Sequence, residues 1–135
     1  MKTEKEIKII QSNVNAYLKE GLFKKGNYEH LTEFYLKTAK KTLQTADALT
    51  QISENNELKK KFGFLNDFET YLWVITTSYY AMFYMVNALF SKRGLKLGDK
   101  VVHKVASDIF YLYFINNKKI AKELFDIYEE AKDQA

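Results

Sequence analysis

The chain has 135 residues, enough for one domain spanning 1–135, and its apolar fraction of 47% and aromatic fraction of 16% can fill a core. The absence of Cys excludes disulfides and thiolate chemistry, and the absence of Pro, with only 5 Gly, favours long helices. The formal net charge of +4 is carried almost wholly by Lys, Arg93 being the only Arg. That is a mild excess, more like a solvated basic surface than the dense Arg-rich patch of a dedicated nucleic-acid binder.

Periodicity predicts five helices and no strand, hence an all-α, up-and-down helical bundle of four to five helices. The first runs from about Thr3 to Glu20, with Ile7, Ile10, Val14, Tyr17 and Leu18 on one face, and Gly21 ends it. The charged stretch at its start leads into no apolar leader. With no Cys, the expectation is a cytoplasmic protein.

The second helix runs from about Tyr28 to Ser53, capped by Asn27. Leu31, Phe34, Tyr35, Thr38, Thr42, Leu43, Ala46, Leu49 and Ile52 form its expected buried stripe, while Lys37, Lys40, Lys41, Gln44 and Asp47 face water. The polar run from Glu54 to Lys61 reads as a loop.

The third helix, from about Leu65 to Lys92, is the centre of the chain, with Asn66 or Asp67 as cap and Gly94 as stop. Its run from Trp73 to Phe90 is too apolar for a surface helix. Interruption by Thr, Ser and Asn argues against a membrane span, and no membrane association is expected. Apolar side chains cover most of its circumference, the mark of a helix packed on several sides. Thr70, Thr77, Ala81 and Ala88 form a stripe of small residues that admits a close neighbour, either within the bundle or from a second copy. The rings of Tyr71, Trp73, Tyr79, Tyr80, Phe83 and Tyr84 are read as core or subunit interface rather than a base-stacking platform.

A fourth helix begins near Asp99 or Lys100 and uses Val101, Val102, Val105, Ile109, Leu112 and Tyr113. Asn116 and Asn117 interrupt it. A last helix, about Lys118 to Lys132, uses Ile120, Leu124, Ile127 and Tyr128.

Chemical motifs are sparse. There is no Gly-rich phosphate loop, no dinucleotide fingerprint and no His-Glu-x-x-His, so no cofactor and no metal site are expected. His30 and His103 fall on different helices.

The core Ser78-Tyr79-Tyr80-Ala81-Met82-Phe83, within Tyr71 to Phe90 and followed by Ser91-Lys92-Arg93-Gly94 and the helix start Lys100 to Lys104, resembles the HEPN family of small helical-bundle proteins of archaea and bacteria. The resemblance implies a bundle that dimerises through its central helices. It also implies either partnership with a small nucleotidyltransferase, as in toxin–antitoxin-like pairs, or metal-independent ribonuclease activity. Family ribonucleases use an Arg, four to six intervening residues, then a His. Those positions here hold Ser78 and Tyr84.

Ser offers one neutral hydroxyl where Arg offers a charged fork, and Tyr is a poor base where His exchanges protons near neutral pH. The expectation is therefore a non-catalytic homodimer that binds a nucleotidyltransferase, with Thr77, Ser78, Tyr80, Ala81, Tyr84 and Ala88 as interface. Tyr84 is by resemblance an acceptor for nucleotidylation, and RNA or a nucleotide is a further partner. The alternative is a ribonuclease with its site displaced to Arg93 and His103. The plainer reading makes Arg93 a helix-end cation and His103 a first-turn residue.

Overall fold

The computed structural model describes residues 2–135 and is all-helical apart from a two-strand ribbon. The elements are α1 (Glu4–Lys19), β1 (Phe23–Lys25), α2 (Thr32–Glu54), α3 (Asn56–Lys61), α4 (Tyr71–Lys92), β2 (Leu95–Leu97), α5 (Val102–Phe110) and α6 (Lys122–Gln134). A 3₁₀ turn, Glu29–Leu31, leads into α2, and a π-helical turn, Tyr111–Ile115, prolongs α5.

Helix α1 starts where Thr3 Oγ1 accepts from the Glu6 N–H at 3.2 Å and stops at Gly21, whose φ of +72° favours glycine. Ile10 and Val14 enter the core. The two strands pair antiparallel, Phe23 opposite Leu97 and Lys25 opposite Leu95, with Phe23, Leu95 and Leu97 pointing inward. Three residues are too few to show an alternating pattern, which is why periodicity predicts no strand here.

The core lies between α1, the ribbon, the C-terminal half of α4, α5 with its π turn, and α6. Val105, Ala106 and Ile109 of α5 are fully buried, and Phe90, Phe110, Phe114, Phe125 and Tyr128 pack ring against ring. Burying a side chain such as Phe90 or Ile109 contributes roughly 2–3 kcal/mol.

Helices α2 and α4 form an antiparallel hairpin whose register is fixed at both ends. Thr32 and Ser91 share a hydroxyl hydrogen bond of 2.7 Å, and Ser53 and Thr70 share one of 2.8 Å. Each pair of positions sums to the same number, so the register places Tyr35 opposite Ala88, Ala39 opposite Tyr84, Thr42 opposite Ala81, Ala46 opposite Thr77 and Leu49 opposite Val74. Both sets repeat at alternating three- and four-residue steps, the spacing of a coiled-coil seam. No residue of either set is exposed.

The boundaries depart from the sequence reading where side chains far apart in the chain decide them. Helix α4 starts at Tyr71, not near Leu65, because the Thr70 N–H is taken by Ser53 Oγ at 2.9 Å and the Tyr71 N–H by Glu69 Oε2 at 2.8 Å. The expected loop Glu54–Lys61 contains α3, capped by Asn55, whose side chain accepts from Glu57 and Leu58. Lys59 is buried and donates to the Asn66 carbonyl at 2.9 Å, tying down the tip. Asn27 caps nothing, and α2 begins from the 3₁₀ turn without a side-chain cap.

Helix α5 begins at Val102, since Val101 takes a left-handed conformation at φ 45°, an uncommon and costly one for a β-branched residue. Phe34 and Leu43 of α2, and Leu124 and Ile127 of α6, expected inside, are exposed. A helix that meets its partner along one narrow seam leaves the neighbouring apolar positions outside.

Candidate functional site

Helix α4 carries no charged residue from Tyr71 to Ser91. Two heptad-spaced stripes run along it, one residue out of phase. The first, Thr70-Val74-Thr77-Ala81-Tyr84-Ala88-Ser91, is the seam with α2. The second, Tyr71-Ile75-Ser78-Met82-Met85-Leu89, has no such cover. Tyr71, Ile75 and Met85 are exposed, and Ser78, Met82 and Leu89 are half-buried. Beside it runs an apolar groove of about 710 Å³, walled by Ser78, Met82 and Met85 on α4, Leu43 on α2, and Leu124 and Ile127 on α6.

The residues expected at an interface divide between these two stripes and the flank beside them. Thr77, Ala81, Tyr84 and Ala88 lie in the α2 seam, so the close approach allowed by the small residues is used within the chain. Ser78 lies on the uncovered stripe, and Tyr80 is exposed on the opposite flank. Ser78 and Tyr84, six residues apart, point about 120° away from each other, so the two motif positions do not converge.

His103, near the start of α5, is brought against the middle of α4. Its Nδ1 stands 2.5 Å from the Tyr79 hydroxyl, and its ring packs among Tyr79, Tyr80 and Phe83, with centroid distances of 5.3, 5.6 and 4.7 Å. The Tyr79 hydroxyl is 3.3 Å from that of Tyr128, long for such a pair. Donation from Tyr128 to Tyr79 and from Tyr79 to Nδ1 satisfies both hydroxyls and places the imidazole proton on Nε2.

Partial burial, then the Lys132 ammonium, lower the pKa of His103 below its ordinary value, so the ring is neutral near pH 7. Burial first, then its bond to Tyr79, pushes the Tyr128 phenol far above its usual range. Lys132 pairs with Glu129 at 2.8 Å and donates to Ser107 Oγ at 2.9 Å, while Glu129 Oε1 has no partner.

Arg93 is elsewhere. It sits at the C-terminal end of α4, fourteen residues past Tyr79, roughly 21 Å along the axis at about 1.5 Å per residue. The displaced pair, Arg93 with His103, is therefore not assembled within one chain. Arg93 instead lines a pocket with Lys25 and Lys119. Among the described residues, no group of three or more His, Asp or Glu could hold a metal ion, and no helix is long and apolar enough to cross a membrane.

Sequence reasoning missed Lys25, Lys119, Tyr128 and Lys132 as neighbours of the candidate residues. No spacing signal links them to the candidate residues, because they come from β1, from the segment before α6 and from α6 itself. No family model, no curated protein and no solved structure matches this chain.

Proposed function

We propose that this protein is a non-catalytic, HEPN-like homodimer that acts by binding, with a nucleotidyltransferase of a toxin–antitoxin-like pair as its partner. One observation carries the reading: the second stripe of α4 is heptad-spaced and uncharged, exposes Tyr71, Ile75 and Met85, and opens onto an apolar groove. A coiled-coil stripe facing water is a surface awaiting another helix. The stripe itself brings no like charges together when it meets a second copy of α4, Lys40 being the one charged residue that lines the adjoining groove, and a two-fold contact uses the same patch on both copies. A contact of standard size buries on the order of 800 Å² per partner. That is within reach of a 22-residue helix with the flanking Leu43, Leu124 and Ile127.

The non-catalytic part rests on chemistry. Ser78 and Tyr84 bring neither the guanidinium of an Arg nor the imidazole of a His, and they diverge on the helix. Sedimentation at micromolar concentration tests the dimer. The wild type is expected as a dimer, and Ile75→Glu with Met85→Glu as a folded monomer whose melting no longer depends on concentration. A wild type that is strictly monomeric would overturn the reading. Co-purification with a co-expressed nucleotidyltransferase tests the partner.

A second reading, a metal-independent ribonuclease with a rearranged site, draws on His103, whose Nδ1 is held by a tyrosine. Cleavage of structured RNA without metal, lost in His103→Ala, would favour it. Cleavage unchanged by that substitution would reject it.

A further inference from the structure

Arg93 belongs to a pocket that neither the motif positions nor the dimer surface explains. The pocket holds about 490 Å³, within the range of small-molecule sites, and lies between the ribbon, the end of α4 and the segment after the π turn. Lys25, Arg93 and Lys119 converge on it, and no carboxylate lines it. Among the described residues, none of the three takes part in an ion pair within 4 Å. Lys25 has only the ring face of Tyr113, with Nζ 5.7 Å from the centroid.

The backbone holds two of these cations together. Lys25 precedes Gly26 and Arg93 precedes Gly94, and the Gly26 N–H donates to the Gly94 carbonyl at 2.8 Å. Gly94 has φ +76°, and a Cβ there would stand 2.6 Å from the Gly26 carbonyl oxygen. Only glycine permits that crossing, so the crossing fixes where Lys25 and Arg93 emerge. Three cations facing one concavity without a counter-charge repel one another, and an anion removes that cost.

We infer that this pocket binds the terminal phosphate of a nucleotide, free or at the 5′ end of an RNA. The Arg93 fork matches phosphate oxygens, and the two lysines act as point charges around it. The half-buried ring of Tyr113 is the apolar side of the pocket against which a sugar or base can lie.

Titration calorimetry at low salt with inorganic pyrophosphate and ATP, and with 5′-phosphorylated and 5′-hydroxyl oligoribonucleotides, tests this. Saturable binding is expected for the phosphorylated probes, weakened by added salt. Preference for ATP over the oligonucleotide assigns a free nucleotide, and the reverse assigns an RNA end. Arg93→Ala and Lys119→Ala are each expected to weaken binding at least about tenfold, the loss of one charged hydrogen bond, with melting unchanged. Lys37→Ala, whose ammonium pairs with Glu33 and does not line the pocket, is expected to leave affinity unchanged. No binding by any probe, binding indifferent to the phosphate, or an equal loss in Lys37→Ala would overturn the assignment. The dimer reading is untouched by either result, because none of these residues lies on the second stripe.

Discussion

The two halves of α4 have similar composition and opposite surroundings. From Tyr79 to Ser91 the helix is held between α2 on one side and α5, α6 and the ribbon on the other, and Tyr79, Phe83, Val86 and Phe90 are buried. From Tyr71 to Ile75 only α2 stands behind it. Leu72 is 68% exposed and Trp73 63%. The apolar stripe that ends in Phe90 continues in sequence to Leu72, but the elements that cover it stop short. Apolarity therefore marks what must be covered, and the length of the neighbouring helices decides what is.

The contrast yields predictions of decreasing size. Phe90→Ala removes a ring that is 1% exposed and is expected to cost about 3–5 kcal/mol, whereas Leu72→Ala on the bare half should change denaturant-measured stability by less than about 0.5 kcal/mol. Equal costs would show that the bare half is covered in solution even as a monomer. In the seam, Ala46→Leu forces α2 away from Thr77 and is expected to destabilise by about 1–3 kcal/mol, read by the same denaturation curves.

Trp73, the only Trp, reports on the exposed half directly. Its emission is expected at the long wavelengths of a hydrated indole in dilute solution, shifting to shorter ones as concentration rises if a partner covers it. Emission independent of concentration would place Trp73 outside any self-contact.

The buried half should also respond to pH through His103, which faces Tyr79, Tyr80, Lys132 and, through Lys132, Glu129. Its folded-state pKa is lowered from 6.5, so between the two values the unfolded chain binds more protons. Stability contributed by the neutral ring is present above about pH 6.5 and is lost as pH falls toward the folded-state value. Melting temperatures at pH 7.5 and pH 5 should differ in the wild type and differ less in His103→Gln. The smallest effect belongs to the Glu33–Lys37 pair, more than two-thirds exposed on both sides, where Lys37→Ala should cost at most about 0.5 kcal/mol.

Much of this fold was legible in the sequence. The repeat of Ile7, Ile10 and Val14, the absence of Pro and the stops at Gly21 and Gly94 located α1 and the end of α4, because helical periodicity and left-handed glycine are local properties. The small residues of α4 announced a close neighbour. That Ala39, Ala46 and Ser53 of α2 would be that neighbour was settled by the two terminal hydroxyl pairs, which only the folded hairpin brings together. The exposure of Leu124 and Ile127, beside the burial of Phe125 and Tyr128, shows the same limit, since periodicity locates an apolar face but not the stripe of it that meets a partner.

For the site, the sequence reads Ser78 and Tyr84 at the positions where the HEPN resemblance would put an Arg and a His. Tertiary structure decided that Ser78 and Tyr84 diverge, that His103 rests on Tyr79, and that Arg93 joins Lys25 and Lys119. Local sequence sets what a helix can do with its own turns. Which charges and rings share a cavity depends on chain crossings such as that of Gly26 with Gly94, which bring together residues far apart along the chain.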